Sequence, residues 1–135
     1  MGWTTSARFA VSGEAVLLDT NAFIYFLEGR ARVAQHVLRA ETVYYSVITE
    51  IELLSARHLT ESDIEVIREF LSRCQRIELT APVVELTIDI RRQRRIKTPD
   101  AIVAASALSL GVPLVTADGE LARIPGLSTI VDILD

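Results

Sequence analysis

The sequence predicts an α/β domain, a mostly parallel sheet flanked by helices. Two observations carry this. Short apolar or β-branched runs alternate with segments of helical periodicity, joined by short connections with no internal repeat. The first run, Ala15-Val16-Leu17-Leu18, is apolar at every position, as a strand covered on both faces requires.

After that strand, Asp19-Thr20-Asn21 reads as a cap sequence, and Ala22 to Glu28 as a short helix stopped by Gly29. Residues 31–40 repeat apolar positions at Val33, Ala34, Val37 and Leu38, the spacing of a second helix. Thr42 to Ile48 is rich in β-branched and aromatic residues and reads as a strand, with Tyr44 and Tyr45 expected in core packing. Thr49 is expected to begin the next helix. Thr60 starts another, with Ile64, Ile67, Phe70 and Leu71 as its apolar stripe. Ile77 to Thr80 reads as a short strand. Pro82 suits the first turn of a helix running through Ile90. Thr98 is then a cap with Pro99 at the first position of a helix ended by Gly111. Val112 to Thr116 and Ser128 to Ile133 complete the strands. Residues 15–135 are read as one domain, and residues 1–14, with Trp3, Phe9 and Val11, as an N-terminal extension to which no function is assigned.

With 135 residues, 50% of them hydrophobic and 24% charged, the chain has enough apolar material for one core and too little polar excess for disorder. Ala101 to Ala117 is the longest uncharged stretch, but Ser106, Ser109, Gly111 and Pro113 interrupt it and it falls short of a membrane span. The first fifteen residues lack the long apolar region of a secretory signal, so a cytoplasmic location with no membrane partner is expected. Cys74 is the only cysteine, and neither His36 nor His58 has a second His or Cys at zinc-ligand spacing. The net charge of -4 argues against nucleic-acid binding driven by the whole surface and leaves local patches open.

Four acids, Asp19, Glu52, Asp100 and Asp118, each fall where a strand-like run gives way to a helix-like segment. In open parallel sheets those crossings converge on one crevice. Each acid also has a structural explanation. Asp19 can cap a helix, and Thr49-Glu50-Ile51-Glu52 matches a capping box. Asp100 complements a helix dipole, and Asp118-Gly119 has turn composition. Four carboxylates at the same end of a sheet need a counter-charge to stay ionised, and a hard divalent ion with oxygen ligands provides one. Glu50 competes with Glu52, because residues two apart on a helix face different ways and only one can enter the crevice.

Just before Asp100, the run Arg91-Arg92-Gln93-Arg94-Arg95-Ile96-Lys97 places five cations in seven residues. Arg91, Arg92, Arg94, Arg95 and Lys97 are candidates for holding a phosphate backbone beside the acids. The alternative is a solvated helix end whose cations meet the negative dipole terminus, with Arg91 partly buried beside Ile88 and Ile90.

Leu17-Leu18-Asp19-Thr20-Asn21 resembles the opening motif of PIN-domain nucleases, and Ser46-Val47-Ile48-Thr49-Glu50-Ile51-Glu52-Leu53 is similar to their second. The alanine-rich stretch Thr98 to Ala107, led by Asp100, resembles the third motif, and Leu114-Val115-Thr116-Ala117-Asp118 the fourth. The four occur in the family's order and approximate spacing over nearly the whole chain. Size and pattern look most like the VapC ribonuclease toxins of type II toxin-antitoxin pairs. Alignment on Ser-x-x-Thr-x-x-Glu-Leu selects Glu52 over Glu50. Two departures stand out: relatives often begin almost at the first strand, and many carry Phe a few residues after the fourth acid, where this chain has Leu121.

The resemblance implies a three-layer PIN-like fold and a magnesium- or manganese-dependent endoribonuclease. Asp19, Glu52, Asp100 and Asp118 would surround the metal, with Asn21, Ser46 and Thr116 as supporting polar groups. It further implies an RNA substrate, a homodimer and a cognate antitoxin, for which Phe23, Phe26 and Leu27 are candidate contacts. Two rivals are a PIN scaffold that binds RNA or protein without cleaving, and a haloacid-dehalogenase-type phosphatase with Asp19 as nucleophile and Lys97 beside it. The phosphatase pattern is incomplete, since position 21 is Asn where an Asp-x-Asp motif needs Asp.

Overall fold

A computed structural model describes residues 14–134. The expected extension, Trp3, Phe9 and Val11 included, lies outside these residues apart from Glu14. The Glu14 carbonyl accepts the amides of Glu41 and Thr42, which ties the start of the domain to its neighbouring strand.

The elements in order are β1 (Ala15–Leu18), α1 (Thr20–Leu27), α2 (Ala31–Arg39), β2 (Thr42–Ser46), α3 (Val47–Leu54), α4 (Glu61–Ser72), β3 (Gln75–Ile77), α5 (Ala81–Gln93), α6 (Thr98–Leu110), β4 (Leu114–Val115), a 3-10 turn (Leu121–Arg123) and β5 (Thr129–Ile130). The five strands form one sheet in the order β3-β2-β1-β4-β5, and every pairing is parallel.

Strand geometry divides the core. Successive side chains point to opposite faces, so Leu17 and Leu114 join Val83, Ile90 and the buried residues of α6 on one side. Val16, Leu18, Tyr45 and Val115 join Phe23, Val33, Leu53 and Ile67 on the other. The result is three layers, with helices on both faces of a sheet whose central strand is covered twice. Tyr45 is buried and Tyr44 packs on the opposite core, in line with the core role expected of both.

Several boundaries differ from the sequence reading. Ser46 ends β2 and caps α3, its Oγ accepting the Ile48 amide at 3.1 Å, so the helix begins two residues before Thr49 and the Thr49–Glu52 capping box does not form. A capping box forms instead at Thr60 and Asp63. Strand β3 is Gln75–Ile77 rather than Ile77–Thr80, because Thr80 turns out to cap α5. Lys97 takes the cap position of α6, and Thr98 is already helical. Gly111 ends that helix in the left-handed conformation (φ 70°), which only glycine adopts without strain. Leu38, expected on the apolar face of α2, is 78% exposed.

Helix α6 is unusual in having no polar face along most of its length: all seven residues from Ala101 to Ala107 are buried. Small side chains let its backbone lie close to both α5 and the sheet. Ser106 satisfies its hydroxyl within the helix, on the Ile102 carbonyl.

Candidate active site

In this strand order β1 lies between β2 and β4, and the chain leaves β1 and β4 toward opposite faces. From β1 it enters α1, whose Phe23 belongs to one core; from β4 it reaches Leu121 and Ile124 in the other. The carboxyl ends of the two strands therefore border a crevice at the topological switch point, where open α/β sheets bind ligands. Asp19 follows β1 immediately, and its amide still bonds to the Val115 carbonyl of β4.

A cleft of about 220 Å3 opens there, lined by Asp19, Thr20, Asn21, Glu52, Asp100, Val103 and Leu121. Asp118 follows β4, and its charge acts on both Asp19 and Asp100. The four sequence-selected acids thus come from four separate segments to one end of the sheet.

Asp19 is the most enclosed of them. Its Oδ1 accepts the Ala22 amide at 2.8 Å, which caps α1. Burial pushes its carboxyl above the ordinary aspartate range; hydrogen bonds from the Thr116 hydroxyl and the Ala22 amide oppose the shift, and the charges of Asp100 and Asp118 add to it. Asp100, in the first turn of α6, is also raised, by desolvation first and then by Asp118 and Glu52, with Lys97 pulling the other way. Raised carboxyls among like charges mark a place where a cation is electrostatically welcome.

Thr116 is fully buried, and its Oγ1 accepts the Asp118 amide at 3.0 Å as well as serving Asp19, so one hydroxyl links two of the acids. Asp118 then folds its own carboxylate back on the Glu120 amide at 2.9 Å, the turn that its Asp-Gly composition predicts. Ser46 is buried as the α3 cap and does not line the cleft, whereas Asn21 is exposed at its rim.

Glu52 and Glu50 separate as helical geometry demands. Glu52 faces the cleft and accepts the Thr20 hydroxyl at 2.6 Å. Glu50 faces away, toward the Tyr45 hydroxyl and the Arg76 guanidinium, with an Arg76 Nη1 to Oε1 distance of 3.3 Å. Thr20 and Thr49 were missed as site residues. The Thr49 hydroxyl, fully buried, meets the Thr20 hydroxyl at 3.0 Å. The signal for both was present in the sequence, as hydroxyls one residue after Asp19 and three before Glu52.

The cationic run does not act as a unit. Arg91 is exposed, but its Nε donates to the Ile96 carbonyl at 3.0 Å and braces the α5–α6 connection. Arg94 lines a different cavity with Asp89, Leu108 and Ile124. Arg92 and Arg95 are exposed, and Lys97 stands at the start of α6, close enough to lower the pKa of Asp100.

Among the described residues, no group of three or more His, Cys, Asp or Glu side chains is placed to hold a metal ion as it stands. The donor chemistry nevertheless fits a hard divalent ion. The donors are all carboxylate oxygens, two of their pKa values are raised, and three of the four line one cleft, with Asp118 near enough for its charge to act on Asp19 and Asp100. On the far side of Glu52, a larger apolar groove of about 540 Å3 runs past Ile24, Leu27, Leu53, Leu59 and Val66. Leu27 is exposed there; Phe23 is wholly buried and Phe26 stacks on Phe70 at 4.7 Å, so of the three early apolar residues only Leu27 faces outward. No helix among the described residues is long and apolar enough to cross a membrane.

Comparison with curated protein sequences gives no match. Among solved structures, the chain is similar to a DNA-bound VapBC of Salmonella typhimurium, with a TM-score of 0.75 at 23% identity over 87% of this chain and 97% of the other. A toxin-antitoxin complex from Klebsiella pneumoniae matches with a TM-score of 0.73 at 27% identity, covering 85% of this chain and 95% of that one. VapBC-1 of nontypeable Haemophilus influenzae gives 0.72 at 25% identity, covering 86% and 96%. The model of the PIN domain family matches residues 16–127, a span that holds all four acids, β1 from its second residue, and β2, β3 and β4 entire. With that match and the parallel five-stranded sheet beneath it, the chain belongs to the PIN domain family.

Proposed function

We propose that this protein is a magnesium- or manganese-dependent endoribonuclease, the toxin of a toxin-antitoxin pair. The observation that carries the reading is the convergence of Asp19, Glu52 and Asp100 on one cleft, with Asp118 coupled to it, in a PIN-family chain. Solved toxin-antitoxin complexes that resemble it over most of their length support the biological setting.

A divalent ion held by these oxygens would supply a bound water of lowered pKa and polarise a phosphoryl oxygen. Asp19, Asp100 and one of the pair Glu52 and Asp118 would hold it, and that pair would also complete a weaker second position or orient the attacking water. Thr116 keeps Asp19 and Asp118 in fixed relation, and Ser46 sets the start of the helix that carries Glu52. Asn21, at the rim, is a neutral donor for a phosphate oxygen. Arg92, Arg95 and Lys97 draw the RNA backbone toward an otherwise acidic cleft, with smaller parts for Arg91 and Arg94, which are engaged elsewhere.

The partners in this reading are RNA, a second copy of the chain and a cognate antitoxin, which would cover apolar surface around Ile24 and Leu27. The test is incubation of the purified protein with RNA in EDTA, Mg2+ or Mn2+. Internal cleavage only with metal, abolished in Asp100→Asn of unchanged fold, is expected. RNA binding without cleavage would replace the reading with a non-catalytic PIN scaffold.

A further inference from the structure

We infer that Thr49 and Thr20 form a positioning relay that fixes the carboxylate of Glu52 in the cleft. This rests on the proposed metal-dependent reading of the site. Thr20 Oγ1 lies 2.6 Å from Glu52 Oε1 and 3.0 Å from Thr49 Oγ1. An ionised carboxylate only accepts, so the one hydroxyl hydrogen of Thr20 goes to Glu52. The hydrogen between the two threonines therefore comes from Thr49, and the relay has one direction: Thr49 to Thr20 to Glu52.

Thr49 is suited to this by its place in α3. Buried hydroxyls inside helices usually bond to the carbonyl four residues back, as Thr87 does with Val83 and Ser106 with Ile102. Thr49 is the third residue of its helix, and four residues back lies Tyr45, in β2. That carbonyl lies outside α3, the Thr49 hydroxyl is fully buried and needs a partner, and the contact it makes is with Thr20, the first residue of α1. The relay thus joins the start of α1, directly after Asp19, to the helix bearing Glu52, and sets two of the acids relative to each other. Glu52, which is exposed, would otherwise swing freely.

The test uses Thr49→Val, nearly equal in volume but without the hydroxyl, and Thr49→Ser, which keeps it. Mn2+ binding is titrated calorimetrically, and the Glu52 carboxyl carbon is followed by NMR in the metal-free protein. Expected for Thr49→Val is a displaced, averaged Glu52 signal and Mn2+ affinity lower by on the order of tenfold, the usual effect of losing a group that orients a ligand; Thr49→Ser restores both. An unchanged Glu52 signal in Thr49→Val overturns the relay. So does a loss in Thr49→Val that Thr49→Ser fails to restore, which would make Thr49 a packing residue only. If the unsubstituted protein binds no Mn2+, the metal-dependent reading falls, and the Glu52 signal still decides the relay.

Discussion

Asp19 accepts the amide of Ala22 at 2.8 Å, so the residue that caps α1 is also the most enclosed of the acids at the cleft. The two roles separate under substitution. Asn caps a helix about as well as Asp, but carries no charge to desolvate.

Asp19→Asn is therefore expected to raise the melting midpoint of the metal-free protein by about a few degrees while reducing cleavage by about a hundredfold or more. Because the folded protein holds the Asp19 proton more tightly than the unfolded chain, the stability tied to that proton is complete below the ordinary aspartate pKa. It drains away as the pH climbs through the raised folded value. Melting curves in EDTA across that interval should show the wild type losing ground to the variant as pH rises. A pH-independent difference would contradict the raised pKa.

Glu52→Gln and Glu50→Gln should behave as opposites despite lying two residues apart. The first abolishes metal-dependent cleavage with little effect on folding. The second leaves cleavage near wild type and costs about 0–1 kcal/mol, since the Arg76 pair is partly exposed. Single-turnover cleavage beside urea denaturation distinguishes them.

The packing of α6 gives a third expectation. Ala105 is fully buried, and Ala105→Leu should destabilise the fold by about 1–3 kcal/mol through overpacking. Denaturant titration measures it, and a neutral result would mean that α6 has room it does not show.

Among the cations, Arg92→Gln and Arg95→Gln should each weaken RNA binding and flatten its salt dependence by about 0.7 in the log-log slope, the loss of one single-strand phosphate contact. Arg91→Gln should instead lower stability, because its Nε holds the Ile96 carbonyl. Filter binding at several salt concentrations, with melting curves alongside, separates the two effects.

Sequence carried the fold where burial dictates side-chain type. The apolar run of β1 and the helix starts at Asp19 and Thr60 were legible because each has a local physical cause, whereas Thr80, read as the end of a strand, caps α5. Strand β3 was displaced because Gln75 and Arg76, on an exposed sheet edge, carry no hydrophobic signal; their pairing with Tyr44 and Tyr45 is a backbone matter. The four acids could be gathered by topology, and helix geometry now separates Glu52 from Glu50. Hydroxyl links such as Thr20 to Thr49 stayed hidden, because they join residues on different helices and depend on distances that no local pattern encodes. The surroundings of the cationic run were hidden for a similar reason: charge density is visible in sequence, but not that Arg91 bonds to the Ile96 carbonyl or that Arg94 lines a separate cavity.

The pairing of β1 with β4 has a consequence for when the protein can act. Leu17 and Leu18 lie beside Leu114 and Val115, 97 residues further along the sequence, and that union brings Asp19 to Asp118. A ribosome making this protein therefore carries no assembled cleft until β4 has cleared the exit tunnel. Up to the end of α6 the nascent chain holds Asp19, Glu52 and Asp100 without the strand that sets Asp118 against them.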